Sequence, residues 1–286
     1  MDNLCGTCYL ELGISNRMIL DFHNHIYPEK VAPTIVESLT QGKRFTAYGT
    51  GTASGLRAEM KTSGVEACVV LGVAVSPALV EPTNRWILEQ KGGDFFPIGS
   101  IHPFYENFKP AVRGLKMAGV RGIKLHPMFQ NFYPDDERAF PFYEEIVQQG
   151  LFVIFHSGPG LVMKPGGEVM GTPERIARVL KVFPKMTLVV AHFGGFRMIE
   201  EAKKHILGKN VYIDTSYPPG LCFECQDWVL HMIHGHDPDR ILFGTDTPYA
   251  RQKEDAEYIL RLPLSTELKE KILSKNGCKL LGLNEA

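Results

Sequence analysis

LFVIFHSG, residues 151–158, decides how this chain folds. An apolar, β-branched and aromatic run stops abruptly at His156 and a glycine-containing turn. The run does not alternate apolar with polar, so it suits a strand covered on both faces, as in a parallel sheet. The same design recurs on either side. Eight such runs are present: MILDFHNHIY (18–27), VEACVVLGVAV (65–75), FFPIGSIHP (95–103), VRGIKLHP (120–127), LFVIFHSG (151–158), TLVVAHFGG (187–195), VYIDTSY (211–217) and ILFGTDTPY (241–249).

Helical patterns lead into several of these runs. They are AVRGLKMAG (111–119), ERAFPFYEEIVQQG (137–150), TPERIARVLKVF (172–183) and FRMIEEAKKHILG (196–208), and the tail 265–283 reads as one or two closing helices. Thr172 followed by Pro173 makes a helix start, and Gly119, Gly150 and Gly208 make stops. Strand–helix alternation repeated eight times in about 250 residues is the pattern of a (β/α)8 TIM barrel. An open doubly wound sheet is the alternative. Residues 1–17 look unlike the rest and read as an N-terminal extension, leaving 18–286 as one barrel domain.

Composition narrows the function. The chain has 286 residues, is 44% hydrophobic and carries a formal net charge of −1, which gives no electrostatic case for nucleic acid or an anionic membrane. No apolar run reaches the roughly 20 residues of a membrane span, and no signal-peptide pattern opens the sequence. Six cysteines in a chain this long do not make a disulfide scaffold. The expectation is a cytoplasmic protein acting on a small molecule, with self-association an open question.

Polarity concentrates where the apolar runs end. Strand residues two apart share a face, so His23 and His25 point together, with Asn24 opposite. His156, His192 and Asp246 close three other runs, and Lys124 and His126 share a face at the end of a fourth. In a barrel these ends meet at one rim. One histidine at a strand end is usually just hydrogen-bonded, and Asp246 alone would read as a turn or cap. Four imidazoles and a carboxylate together are different. Buried without partners they would cost several kcal/mol. A divalent cation satisfies them: zinc is favoured, with iron, manganese or nickel as alternatives, as one ion or two.

The segments HNH (23–25), GIKLHP (122–127), FHSG (155–158), AHFGG (191–195), GTDTPY (244–249) and NGCKLLGL (276–283) resemble the amidohydrolase superfamily over about 19–283. They are most similar to the amidohydrolase-2 branch, related to aminocarboxymuconate-semialdehyde decarboxylase. The resemblance implies that His23, His25 and Asp246 bind the principal metal. It further implies that His156 is a ligand and that His192 is either a ligand or a catalytic acid/base. Lys124 stands near the place where two-metal members carry a bridging carboxylated lysine; the alternative is an ordinary lysine meeting an anionic substrate.

The expected reaction is hydrolysis. A metal-activated water attacks an amide, ester or lactone carbonyl, Asp246 takes its proton, and His192 assists the leaving group. Lys124 and His126 would orient the substrate, and Arg251 would meet an acidic one. The alternative is non-oxidative decarboxylation of an unsaturated or aromatic acid. A rival of another class is a zinc or redox module built from CGTC (5–8) and CFEC (222–225), against which stands their wide separation. A catalytically inactive ligand-binding barrel is also conceivable, though the complete ligand set opposes it. Asp21 is expected to hold a ligand histidine, and His102 to be structural or to line the pocket. His205, His231, His234 and His236 read as surface or packing residues. The aromatics of 128–137, with Tyr217 and Tyr249, read as substrate wall or loop packing.

Overall fold

Each of the eight apolar runs contains a strand. They are β1 (Ile19–Asn24), β2 (Val65–Leu71), β3 (Phe95–Ile98), β4 (Gly122–Leu125), β5 (Phe152–Phe155), β6 (Leu188–Val190), β7 (Tyr212–Asp214) and β8 (Ile241–Leu242). The computed structural model describes residues 18–40, 46–163 and 166–283, so the 1–17 extension and its CGTC pair lie outside the described residues. All residues of β1, β4, β5 and β6 are buried, as near-continuous apolar runs require. Each fully buried Val, Leu, Ile or Phe contributes about 1.5–3 kcal/mol relative to exposure.

The strands are shorter than the apolar runs. Asp21, His23 and Lys124 lie within strands, whereas His25, His126, His156, His192 and Asp246 stand just past them rather than on their last positions. At His192 and Asp246 the backbone is left-handed, with φ 62° and 70°.

The predicted helices are present as Phe108–Met117, Phe140–Gln149, Pro173–Val182 and Ile199–His205. Thr172 Oγ1 accepts the N–H of Arg175 at 3.3 Å, and Gly150 ends its helix in the left-handed region at φ 62°. The tail holds Thr266–Glu270, a π-helical turn Lys271–Lys275 and Asn276–Leu281. Helices Ala53–Ser63 and Gln252–Arg261 are not legible as periodic segments. The second buries Gln252 and Asp255 beside Ala256, Ile259 and Leu260, so polar residues interrupt its inward face.

The described residues fall into two compact units, one before Val70 and after Asp214, the other from Val70 to Asp214. In the second, β4, β5, β6 and β7 pair in parallel, with Leu125 beside Phe155, Phe155 beside Val190 and Val190 beside Ile213. The N–H of Lys124 on β4 donates to Gly99 O, and that of Gly72 to Ile98 O. In the first unit, the N–H of Phe22 on β1 donates to Phe243 O, and that of Thr215 to Leu242 O. Asn24 Nδ2 donates to Val69 O at 3.2 Å. Among the described residues no helix is long and apolar enough to cross a membrane.

Candidate metal centre and a buried histidine cluster

In the first unit the alternation of β1 sets Asp21, His23 and His25 on one side. The N–H of Asp246 donates to His23 O at 2.8 Å, and that of His25 donates to Thr247 O at 2.7 Å. Asp246 has φ 70°, a left-handed conformation open to Asp and Asn more than to other side chains. That backbone aims its carboxylate back at the histidines. Asp246 Oδ1 lies 3.4 Å from His25 Nε2 and 3.7 Å from His23 Nε2.

These separations exceed an N–H···O hydrogen bond of about 2.7–3.2 Å. Donors held about 2.1 Å from one ion at a tetrahedral angle would stand roughly 3.4 Å apart. Both the donor types and their spacing therefore fit a divalent cation. His23 Nδ1 is 3.1 Å from Ser216 Oγ, which leaves Nε2 as its outward-facing nitrogen. The two imidazoles meet edge to face at 5.3 Å.

Asp21 is fully buried beneath them. Its Oδ1 accepts the backbone N–H groups of His23 and Thr245, both at 3.1 Å. Its Oδ2 accepts Thr245 Oγ1 at 2.6 Å and Gln252 Nε2 at 2.9 Å. Burial outweighs these bonds and pushes the carboxyl from 3.8 up to about 7. Asp21 thus holds His23 by its backbone N–H rather than by its ring, together with the backbone of Thr245 next to Asp246, while Ser216 meets the His23 ring. Tyr27 and Tyr249 join their phenols at 3.2 Å within the electrostatic reach of Asp246.

The second unit builds a different set. Pairing of Leu125 with Phe155 carries the residues after β4 and β5 forward side by side. His126 and His156 consequently stack at 3.9 Å with planes 10° apart, and Phe129 stacks on the other face of His126 at 3.9 Å. His156 Nε2 is 3.0 Å from Pro159 O, and its Nδ1 is 2.9 Å from His192 Nε2. A carbonyl only accepts, so Nε2 of His156 carries its hydrogen. A neutral ring then accepts at Nδ1, and the shared proton belongs to His192 Nε2. Burial, reinforced by the charge of Lys124, pushes His156 down to about 3. Lys124 itself is wholly buried on β4.

His192 and Phe193 have φ 62° and 53°. Such conformations cost about 1–3 kcal/mol each and persist only where the surroundings fix them. Asp214, at the end of β7, does so: its Oδ1 accepts the His192 N–H at 2.9 Å, and its backbone oxygen accepts that of Phe193 at 2.8 Å. Gly158 of the FHSG segment, at φ 100°, lies so close to the Phe196 backbone that a Cβ has no room.

The family profile described as Amidohydrolase, Amidohydro_2, matches residues 20–283. The chain belongs to this family. A comparison with curated proteins finds no match. Among solved structures, this Amidohydro_2 protein is similar to an uncharacterized TIM-barrel protein from Bordetella bronchiseptica, with 25% identity, coverage of 93% of this chain and 98% of that one, and a TM-score of 0.69. It is also similar to 5-carboxyvanillate decarboxylase from Novosphingobium aromaticivorans, with bound manganese and 3-methoxy-4-hydroxy-5-nitrobenzoic acid, at 14% identity, 95% and 99% coverage and a TM-score of 0.70. A third is 2,6-dihydroxybenzoate decarboxylase complexed with 2,6-dihydroxybenzoate, at 14% identity, 93% and 100% coverage and a TM-score of 0.68. The Amidohydro_2 chain thus has the (β/α)8 TIM-barrel fold.

The other sequence candidates are also placed. Arg251 is exposed, bonded to Glu254 at 2.9 Å and set over the Tyr48 ring. His102 Nε2 lies 2.8 Å from Gln130 O, a structural contact. His126 precedes a short helix, Pro127–Gln130, where a loop is expected from sequence. His236 is buried, whereas His231 and His234 are exposed. Sequence reasoning passes over Asp214, Ser216 and Gln252. Asp214 and Ser216 occur at the end of the β7 run, where YIDTSY offers the same kind of polar ending that marks the histidines. Gln252 lies on an unread helix and offers no such signal.

Proposed function

We propose that this amidohydrolase-family protein is a metal-dependent, non-oxidative decarboxylase of a small unsaturated or aromatic carboxylic acid. The observation that carries the metal is the approach of Asp246 Oδ1 to both His23 Nε2 and His25 Nε2. Decarboxylation rather than hydrolysis draws on the activities of the two similar decarboxylases and on the buried Lys124 beside a histidine kept neutral.

In this reading His23, His25 and Asp246 hold a divalent cation. When bound, the cation supplies a Lewis-acidic seat for the oxygens of the acid. Nitrogen and carboxylate donors suit manganese and zinc alike. Ser216 fixes the His23 ring so that Nε2 presents its lone pair. His156 offers no lone pair while His192 donates to it, so His156 is not assigned as a ligand, and His192 is assigned the proton.

His192, protonated on both nitrogens, delivers one proton to the substrate carbon and returns to the neutral ring that donates from Nε2 to His156. The C–CO2 bond then breaks, its electron pair stays with that carbon, and CO2 leaves; the net change is R–COO⁻ plus H⁺ to R–H plus CO2. Lys124 and His126 orient the carboxylate before it departs. In this proposal Lys124 works as an uncarboxylated lysine.

The test is CO2 release from carboxyl-labelled hydroxybenzoates and unsaturated acids by protein loaded with manganese or zinc. Metal-dependent release, lost in Asp246→Asn, is the expected result. Hydrolysis of lactones or amides with no CO2 from any acid would overturn the proposal in favour of the hydrolase.

A further inference from the structure

Gln130, in the helix Pro127–Gln130 that follows β4, is buried and uncharged, and its side chain spans three strand ends. Its Oε1 accepts the N–H of His126 at 2.8 Å. Its Nε2 donates to Ala74 O at 3.0 Å and to Ile101 O at 3.3 Å, carbonyls that follow β2 and β3. An amide side chain has two donor hydrogens and an acceptor oxygen, and here both ends are engaged. Ser100, also buried, adds a second stitch: its Oγ accepts the N–H of Ala74 at 3.0 Å and donates to Lys124 O at 2.9 Å. Buried side chains thus tie the Lys124–His126 stretch to the ends of β2 and β3.

The His126 ring is held as closely as its backbone. Phe129 covers one face and His156 the other, both at 3.9 Å. Nδ1 accepts the N–H of Phe129 in a long contact of 3.4 Å. A neutral ring that accepts at Nδ1 carries its hydrogen at Nε2, and such a hydrogen is what a carboxylate oxygen takes.

We propose that Gln130 is the positioning residue for His126: its amide fixes the backbone from which the imidazole presents Nε2–H to the carboxylate of the substrate. This rests on the reading of Lys124 and His126 as the groups that meet the acid. Gln130 itself touches no substrate.

Two measurements on the zinc-loaded full chain test this. Nitrogen-15 NMR of histidine-labelled protein, assigned with His126→Gln, locates the ring hydrogen. Titration with benzoate, a plain carboxylate probe, reports what the ring does. The unaltered protein should carry the hydrogen on Nε2. Gln130→Met should mix the two tautomers and weaken benzoate about tenfold. The double variant Gln130→Met/His126→Gln should bind benzoate no more weakly than His126→Gln, because the two residues act as one unit. Gln130→Glu, kept neutral by burial, retains an acceptor and a donor and should restore the Nε2 tautomer and most of the affinity. If Gln130→Met does not fold, Gln130→Asn, whose amide stops one methylene short of His126, takes its place. Hydrogen on Nδ1 in the unaltered protein, unchanged ring signals in the Gln130 variants, full additivity in the double variant, or no benzoate binding would overturn the proposal. Protein that behaves as expected here but releases no CO2 from any acid would lose the decarboxylase reading and keep this inference.

Discussion

His23 offers its backbone oxygen to the N–H of Asp246 at 2.8 Å, while its ring faces the carboxylate of the same residue. One contact sets the distance between two chain segments, and the other is the product of that setting. The left-handed backbone at Asp246 connects them.

Replacement of Asp246 separates backbone from charge. Asn tolerates the left-handed region, whereas Ala there costs about 1–2 kcal/mol more. Asp246→Asn should keep near-native stability and lose turnover by at least ~100-fold, with a smaller loss of metal content. Asp246→Ala should lose both activity and that additional stability. Denaturant unfolding of the two variants checks this; equal stabilities would remove the role given to the backbone.

Asp21 predicts a pH dependence of stability in metal-free protein. Its folded carboxyl titrates near 7 against 3.8 ordinarily, so between these values the folded state binds the extra proton. Its contribution to stability therefore falls as pH rises through that window and levels off above it. Asp21→Asn should flatten this portion of the profile, although it also weakens the contacts to Thr245 and Gln252. An unchanged slope in the variant would show that Asp21 does not titrate there.

Ser216 should matter for metal binding without touching the metal. Ser216→Ala removes the partner of His23 Nδ1 and should weaken metal affinity by about 10–100-fold. Competition with a chromophoric chelator measures it. Wild-type affinity would mean that the His23 ring is oriented by other contacts.

Asp214 should act on the proton donor. Asp214→Asn exchanges a charged acceptor of the His192 N–H for a neutral one, at a cost of about 1–2 kcal/mol. Turnover should fall by about tenfold with metal stoichiometry retained. Loss of the metal in this variant would move Asp214 from positioning His192 to supporting the metal itself.

Strands and their endings were legible because burial on both faces writes itself as apolar runs, and because any polar residue that closes such a run stands out. HNH, FHSG, AHFGG and GTDTPY could thus be read as a group, and the family follows from them. Helix Gln252–Arg261 was illegible for the converse reason: its buried Gln252 bonds Asp21, so a core position carries a polar residue that periodicity assigns to solvent.

The amino-acid sequence by itself determined the eight strands, the order of strands and helices, and which side chains would close the strands, since these depend on local pattern and on residue chemistry. Tertiary structure alone decided what those side chains do to one another. Parallel register stacked His126 on His156. Long-range pairing of β1 with residues 243–247 set Asp246 against His23 and His25. Burial raised Asp21 and kept His156 neutral. Desolvation and donor spacing arise from neighbours remote in the chain, and no single stretch encodes them.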